Sequence, residues 1–199
     1  MSGVPKSQRP TLKIILVGSS GVGKTCLTST YFRQSFDFQT PPTVAPAYSC
    51  ADVKKSDGTP VSLQIWDTAG QERYHSVSKC FFRESDVAFV CFEAGESEST
   101  KDVPNWIKRV RDEVPNCILF FVMTKSDLHT PQEIQEFKLA AESEFQEYNG
   151  KGVFVTSALA KEGVNELFQA AAEMYKSRNA TSQSTPRQLE KKKEKGSCC

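Results

Sequence analysis

The chain has 199 residues, of which 38% are hydrophobic and 25% charged, so one ordinary hydrophobic core is expected and collagen-like or wholly disordered classes are excluded. The net charge of +1 is uneven: residues 187–199 carry +3 and residues 1–186 carry −2, and a slightly acidic body argues against a domain devoted to nucleic acid. The longest apolar run has seven residues and none follows Met1, so we expect neither a membrane span nor secretion.

Short apolar runs that are typical of buried strands alternate with helical patterns along most of the chain. The six runs are residues 11–17, 48–54, 61–66, 87–92, 117–123 and 153–156. Because helical patterns separate most of them, we expect parallel strands with helices on both faces of the sheet. Asp57-Gly58 lies between the second and third runs and predicts a tight turn between antiparallel strands. The sequence therefore predicts an α/β fold with a six-stranded mixed sheet.

A glycine-rich run, GSSGVGKT at residues 18–25, follows the first predicted strand and precedes an amphipathic stretch. It fits the pattern GxxxxGK[ST], in which backbone N–H groups and the positive end of a helix dipole bind phosphate. We expect Lys24 to reach the outer phosphates and the Thr25 hydroxyl to ligate Mg²⁺. By itself, the run predicts only a nucleoside triphosphate site, made of Ser19, Ser20, Gly21, Val22, Gly23, Lys24, Thr25 and Cys26.

Residues 67–72 read DTAGQE and follow the third predicted strand. A carboxylate at the end of a strand that faces a phosphate loop is the expected second metal anchor. With both motifs present, the chain resembles the Ras superfamily of small GTPases, which have a P-loop NTPase fold. The resemblance implies that Asp67 holds Mg²⁺ through water and that the Gly70 N–H meets the γ-phosphate. It also implies that Gln71 is the catalytic residue that orients the attacking water.

Two motifs after later strands resemble the guanine-binding loops of this family. Residues 124–127 read TKSD and resemble NKxD, in which the Asp accepts two N–H groups of guanine, so Asp127 would set the specificity for GTP over ATP. The alternative is that Asp127 only caps a turn. By the same resemblance, Lys125 lays its aliphatic stem over the base and Phe36 meets the edge of the base. Residues implied by the second motif are Ser157, Ala158 and Leu159, with the Ala158 N–H on guanine O6.

Thr124 departs from the family pattern, which usually has Asn at this position. The departure replaces an amide that ties the base to neighbouring loops by a shorter hydroxyl. We expect guanine binding to survive, with weaker or faster-exchanging nucleotide.

The resemblance also predicts two switch segments. Thr43 lies eighteen residues after Thr25, where the family has a Thr that ligates Mg²⁺ only when the γ-phosphate is present; taken alone it is an ordinary loop Thr. We expect residues 33–47 and 70–80 to relax when the γ-phosphate is lost.

Residues 40–42 contain no Arg that could act on the γ-phosphate in cis, so intrinsic hydrolysis should be slow. An Arg supplied by an activating partner typically raises the rate by ~10³–10⁵. Ala45 and Pro46 depart from the family pattern, so effector recognition is the least transferable part.

Several features favour the Rab branch: Trp66 before DTAGQE, FFR at residues 81–83 and a terminal cysteine pair. Tyr48, Trp66 and Phe81 match an aromatic triad that Rab effectors contact, although they are equally compatible with half-buried core aromatics. Cys198 and Cys199 resemble a doubly geranylgeranylated terminus, and the lysines at 191–195 would add attraction for anionic lipid. The alternative is a solvated charged tail.

The predicted protein is therefore a Rab-like small GTPase with a G domain at residues 11–176, a flexible N-terminus at 1–10 and a disordered tail at 177–199. We expect a monomer on the cytoplasmic face of endomembranes, with Mg²⁺, GTP and GDP as ligands. Its expected partners are an exchange factor, a GTPase-activating protein, a prenyl-sheathing chaperone and effectors. Two alternatives remain, a guanine-nucleotide binding module without useful hydrolysis and an ATP-using enzyme such as a small kinase. His75 and His129 suggest no role and are expected on solvated loops.

Overall fold

The structure is a computed structural model that describes residues 10–33, 36, 43, 46–68, 81–95 and 98–175. Its strands are β1 (Thr11–Val17), β2 (Ala47–Lys54), β3 (Pro60–Asp67), β4 (Val87–Glu93), β5 (Ile118–Thr124) and β6 (Val153–Val155). The α-helices are α1 (Lys24–Arg33), α2 (Glu98–Lys101), α3 (Val103–Glu113), α4 (Pro131–Phe145) and α5 (Val164–Glu173), with 3₁₀ turns at Ser126–Leu128 and Gln146–Tyr148. None of the described helices is long and apolar enough to cross a bilayer.

The strands form a single six-stranded sheet in the order β2-β3-β1-β4-β5-β6. Among the described strands, only β2 and β3 pair antiparallel, and the 55–59 turn between them carries Gly58 at φ +82°. The other neighbours are parallel. The predicted mixed sheet and its antiparallel pair are confirmed. Because the parallel strands end at a common edge, the loops after β1, β3, β4, β5 and β6 meet there, which is the usual place for a ligand in such sheets.

Helices cover both faces of the sheet, as predicted. Side chains alternate along β1, so that Ile14 and Leu16 join one apolar cluster while Ile15 and Val17 join the other. Helices α1 and α5 close the first cluster with Leu27, Leu167 and Phe168. Helices α3 and α4 close the second with Trp106, Ile107, Val110, Ala141 and Phe145. The sheet is thus fixed on both sides, and its strand ends are held in register.

Helix α4 begins with the predicted capping box. The Thr130 hydroxyl accepts from the Glu133 N–H, while a Glu133 carboxylate oxygen lies 2.8 Å from the Thr130 N–H. This start fixes the direction in which the chain leaves the Ser126–Leu128 turn. At the other end of the chain, α5 stops at Glu173, and residues beyond 175 lie outside the described part, so the predicted boundary at 176 and the tail stay predictions.

Candidate functional site

The loop between β1 and α1 takes the conformation that the glycine-rich run predicts. Gly18, Gly21 and Gly23 all have positive φ, and a Cβ on Gly18 would collide with the carbonyl oxygen of Cys91 on β4. Any larger residue at position 18 would therefore force the loop away from the sheet. The loop leads directly into α1 at Lys24, so the helix N-terminus points its free N–H groups at the space the loop encloses.

Lys24 is almost fully buried beneath this loop. Its ammonium donates to the carbonyl oxygens of Gly18 and Ser19 at 2.7 and 2.9 Å. Burial lowers the pKa of Lys24, and the nearby Asp67 carboxylate opposes that shift. The charged group is thus positioned under the loop that would hold the phosphates.

Three oxygen-bearing side chains from separate segments converge beside Lys24. The hydroxyls of Thr25 and Thr43 lie 2.5 Å apart, although eighteen residues separate them in the chain. Asp67 is 2% exposed at the end of β3; burial raises the pKa of its carboxyl, and a hydrogen bond with Thr25 opposes this. Its Oδ1 is buried and has no hydrogen-bond partner among the described residues.

These side chains fit Mg²⁺. A hard cation prefers oxygen ligands, and a buried carboxylate oxygen without a partner is costly unless something satisfies it. Thr25, Thr43 and Asp67 supply two hydroxyls and one carboxylate within reach of each other. They are the residues that would hold the metal, directly or through water.

A cavity of about 240 Å³ opens beside the loop at residues 18–23, which we call the phosphate loop. Four segments that are far apart in the sequence form its walls: the phosphate loop with α1, position 36, the loop after β5 and the loop after β6. Its lining residues are Gly21, Gly23, Cys26, Leu27, Phe36, Thr124, Lys125, Asp127, Leu128, Thr156, Ala158 and Leu159. The fold thus brings the predicted base-binding residues Phe36, Lys125, Asp127 and Ala158 around one space.

Asp127 is held in place by the loop after β6. The Ser157 hydroxyl donates to Oδ1 of Asp127 at 2.5 Å and itself accepts from the Ala160 N–H at 2.9 Å. The Ser126 N–H also donates to the Thr156 carbonyl at 3.2 Å. These bonds orient the carboxylate. Ser157 is not among the residues that line the cavity, and it acts there by positioning Asp127.

Thr124 links three elements of the site. Its hydroxyl lies 2.6 Å from the Val22 carbonyl in the phosphate loop and 3.0 Å from the Phe92 carbonyl in β4, and it shares one proton between them. The shorter side chain therefore still ties the end of β5 to the phosphate loop. Whether nucleotide exchange is faster than with Asn stays a prediction.

Two contributing residues, Glu93 and Thr30, were missed by sequence reasoning. Glu93 at the end of β4 forms an ion pair with Lys125 at 2.9 Å, and Thr30 in α1 donates to the Ala158 carbonyl at 3.1 Å. His129 is half-buried: its Nε2 lies 3.2 Å from the Ala94 carbonyl, and its ring meets Phe137 edge-on. His129 lies in the loop before α4, as expected, but its ring is partly covered because it packs against Phe137 of α4. Glu93 has no sequence motif, and its place beside Lys125 could be expected only from the strand register, in which Glu93 is paired with Thr124.

Other predicted residues lie away from the cavity or outside the described residues. Tyr48, Trp66 and Phe81 do form a row, with ring centroids 5.0 and 5.5 Å apart, and Tyr48 is 52% exposed. Gly70, Gln71, His75, Cys198 and Cys199 are outside the described residues. Their roles stay predictions.

Comparison with known proteins agrees with this geometry. A family model described as the Ras family matches residues 13–177. The Ras-related protein YPTC6 of Chlamydomonas reinhardtii is 33% identical over 158 residues, which cover 79% of this chain and 71% of that protein. The matched stretch includes the phosphate loop and both loops that line the cavity.

Proposed function

This chain belongs to the Ras family and is a Rab-type small GTPase, and from that premise we propose that it binds GTP or GDP with Mg²⁺ at the site described above and hydrolyses GTP slowly. As a Rab-like GTPase it is a molecular switch in vesicular membrane traffic. One observation carries the site assignment: the cavity lined by Asp127 and Lys125 is continuous with the glycines of the phosphate loop. A guanosine nucleotide likewise joins its base and its phosphates through a single ribose.

The guanine base would occupy the cavity. The Asp127 carboxylate would accept the N1–H and N2–H of guanine. Phe36 and the stem of Lys125 would contact the base from the walls of the cavity. Adenine has no equivalent donor pair, so its binding would cover the Asp127 carboxylate, which is exposed in this structure, without giving it donors in return. The hydrogen bond from Ser157 supports this role, because it fixes the carboxylate before the base enters.

The phosphates would lie in the loop at residues 18–25, where backbone N–H groups and Lys24 face them. Lys24 would exchange carbonyl partners of its own loop for phosphate oxygens. Thr25, Thr43 and Asp67 would hold Mg²⁺, which when bound offsets the negative charge of the outer phosphates. The contact between Thr25 and Thr43 supports a switch, because it brings position 43 to the place where the γ-phosphate would be recognised.

Hydrolysis would depend on Gln71, which would orient the attacking water, and on the Gly70 N–H, which would meet the γ-phosphate. Slow turnover follows from the absence of Arg at residues 40–42, since no guanidinium is supplied in cis. A GTPase-activating protein would provide one, and an exchange factor would speed GDP release. Effectors would recognise the switch segments together with the row of Tyr48, Trp66 and Phe81.

Competition for bound labelled GTP tests the nucleotide assignment. Excess GDP should displace the label and ATP at the same concentration should not, whereas effective competition by ATP would favour the alternative of an ATP-using enzyme.

Single-turnover hydrolysis then separates a switch from a binding module without useful hydrolysis. Gln71→Leu should slow hydrolysis by at least about tenfold while GTP binding is retained. An unchanged rate would favour the binding module.

The membrane anchor is a separate part of the proposal. Cys198 and Cys199 would each carry a prenyl group, since two lipid chains give stable attachment where one gives only marginal attachment. The full chain should therefore sediment with membranes, and a Cys198→Ser, Cys199→Ser variant should stay in the supernatant. Equal sedimentation of both proteins would contradict the anchor.

A pull-down with the GTP-bound and GDP-bound forms would identify effectors by their preference for the GTP-bound form.

A further inference from the structure

Lys125 lies between two cavities. Its side chain lines the 240 Å³ cavity described above, which we call the base cavity. Its ammonium forms an ion pair with Glu93, which lines a second and more polar cavity of about 730 Å³ beside the phosphate loop. The aliphatic stem therefore crosses the wall between the two spaces. Where the ammonium is held determines where the stem lies.

Both partners of this ion pair are fixed through the backbone. Glu93 is the last residue of β4 and is in register with Thr124, and the Ala94 N–H donates to the Thr124 carbonyl at 3.0 Å. The Glu93 N–H donates to the Ser99 hydroxyl at 2.9 Å. The carboxylate thus projects from a strand end rather than from a surface loop.

Lys125 itself has a constrained backbone. Its φ is +57°, in the left-handed region that non-glycine residues seldom adopt. The Leu128 N–H donates back to the Lys125 carbonyl at 3.1 Å and closes the 3₁₀ turn that carries Asp127. The long side chain at this backbone position leaves the turn toward β4, where its ammonium is bound by Glu93.

We propose that Glu93 is a positioning residue for guanine nucleotide: its carboxylate holds the Lys125 ammonium and thereby keeps the lysine stem across the base cavity. This inference rests on the proposed function, because it concerns the same base site. A flexible side chain that is already ordered loses less entropy when the base binds. The pair is about one third exposed at each partner, so water screens it less than a fully exposed pair.

Release of fluorescent GDP from the purified full chain tests this role. Glu93→Gln keeps the shape of the side chain but removes its charge, and should speed release about three- to tenfold. Glu93→Asp retains a carboxylate within reach of the long lysine and should restore most of the slow release. The matched control is Glu98→Gln, since Glu98 lines the same polar cavity but pairs with Lys101 on the exposed surface. Its release rate should equal that of the unmodified chain.

A double-mutant cycle with Lys125→Met separates positioning from general destabilisation. If Glu93 acts through Lys125, then adding Glu93→Gln to Lys125→Met should change release by less than about 1.5-fold. Additive effects, or equal effects of Glu93→Gln and Glu98→Gln, would overturn the inference in favour of a diffuse charge effect.

The outcomes also separate this inference from the proposed function. If the unmodified chain fails to retain guanine nucleotide, the proposed function fails. If it retains GDP and Glu93→Gln releases it at the same rate, only the role of Glu93 fails.

Discussion

The base side and the metal side of the site differ in how far the protein satisfies its own polar groups. On the base side, Thr124, Lys125 and Asp127 each have a protein partner, in the phosphate loop, in β4 and in the loop after β6. On the metal side, a buried oxygen of Asp67 has no partner among the described residues, and Lys24 bonds to two carbonyls of its own loop. The base side is thus built by the fold, while the metal side has groups suited to a charged ligand.

This difference has an energetic consequence. Leaving a buried polar group unsatisfied costs about 1–3 kcal/mol. A ligand that gives the Asp67 oxygen a partner therefore removes this cost and raises the free energy of unfolding of the protein. The base side gains no such bonus, because its bonds exist without ligand. Changes on the base side should therefore alter recognition, and changes on the metal side should alter the response to Mg²⁺.

The largest expected effect comes from removing the base-side acceptor. Asp127→Ala deletes the carboxylate that would accept two guanine N–H groups, and hydrogen bonds to charged groups are worth about 1.5–3 kcal/mol each. We expect GTP affinity to fall at least ~100-fold, with loss of the preference for GTP over ATP. Equilibrium titration with fluorescent nucleotides measures both.

The control for this change is Asp112→Ala. Asp112 is an exposed aspartate on α3 that pairs with Lys108 and lies apart from the cavity, so its loss should leave affinity unaltered. If Asp127→Ala retained the GTP preference, the base would have to be read by other groups, and the comparison between the two sides would fail.

Removing the metal should produce the next largest effect. Chelation of Mg²⁺ should speed GDP release about 10–100-fold, because Thr25, Thr43 and Asp67 would lose their shared ligand. In Asp67→Ala, release should already be fast and chelation should add less than about twofold. In Asp127→Ala, the full ratio should persist. Stopped-flow release with and without chelator measures these ratios, and excess Mg²⁺ added with the chelator provides the control. A full ratio in Asp67→Ala would show that Asp67 does not hold the metal, and a reduced ratio in Asp127→Ala would show that the two sides do not act independently.

The sequence predicted the elements whose signals are local. The six apolar runs, the Asp57-Gly58 turn and the Thr130 capping box all depend on spacing within a few residues, and all six strands are present with ends within one residue of the prediction. The phosphate loop was equally readable, because its glycines and Lys24 occupy fixed positions in one continuous run.

Contacts between distant segments could not be read in the same way. The pair of Glu93 and Lys125 joins positions 32 residues apart, and depends on two parallel strands ending side by side. The packing of His129 against Phe137 likewise depends on how α4 docks. Neither has a sequence motif, and both need the sheet register before they can be expected.

A smaller effect is expected at Thr124, where the base side meets the phosphate loop. Thr124→Val keeps the shape but removes the hydroxyl that lies between the Val22 and Phe92 carbonyls, which should cost roughly 1–3 kcal/mol of unfolding free energy. GDP release should become about three- to tenfold faster. Thr124→Ser retains the hydroxyl and should stay close to the unmodified chain. Identical behaviour of the Val and Ser variants in thermal melts and release assays would contradict the link.

The smallest effect should separate stability from recognition. Thr130→Ala removes the side-chain half of the α4 capping box and should cost about 1 kcal/mol, which lowers Tm by roughly 2–4 °C in a domain of this size. Thr130 is not among the residues that line the base cavity, so GDP release should be unchanged. Thr124→Val should lower Tm by a similar or larger amount and also speed release. If Thr130→Ala sped GDP release equally, lost stability alone would explain both variants. Slow GDP release would then depend on the stability of the whole fold and not on the hydrogen bonds of the base side.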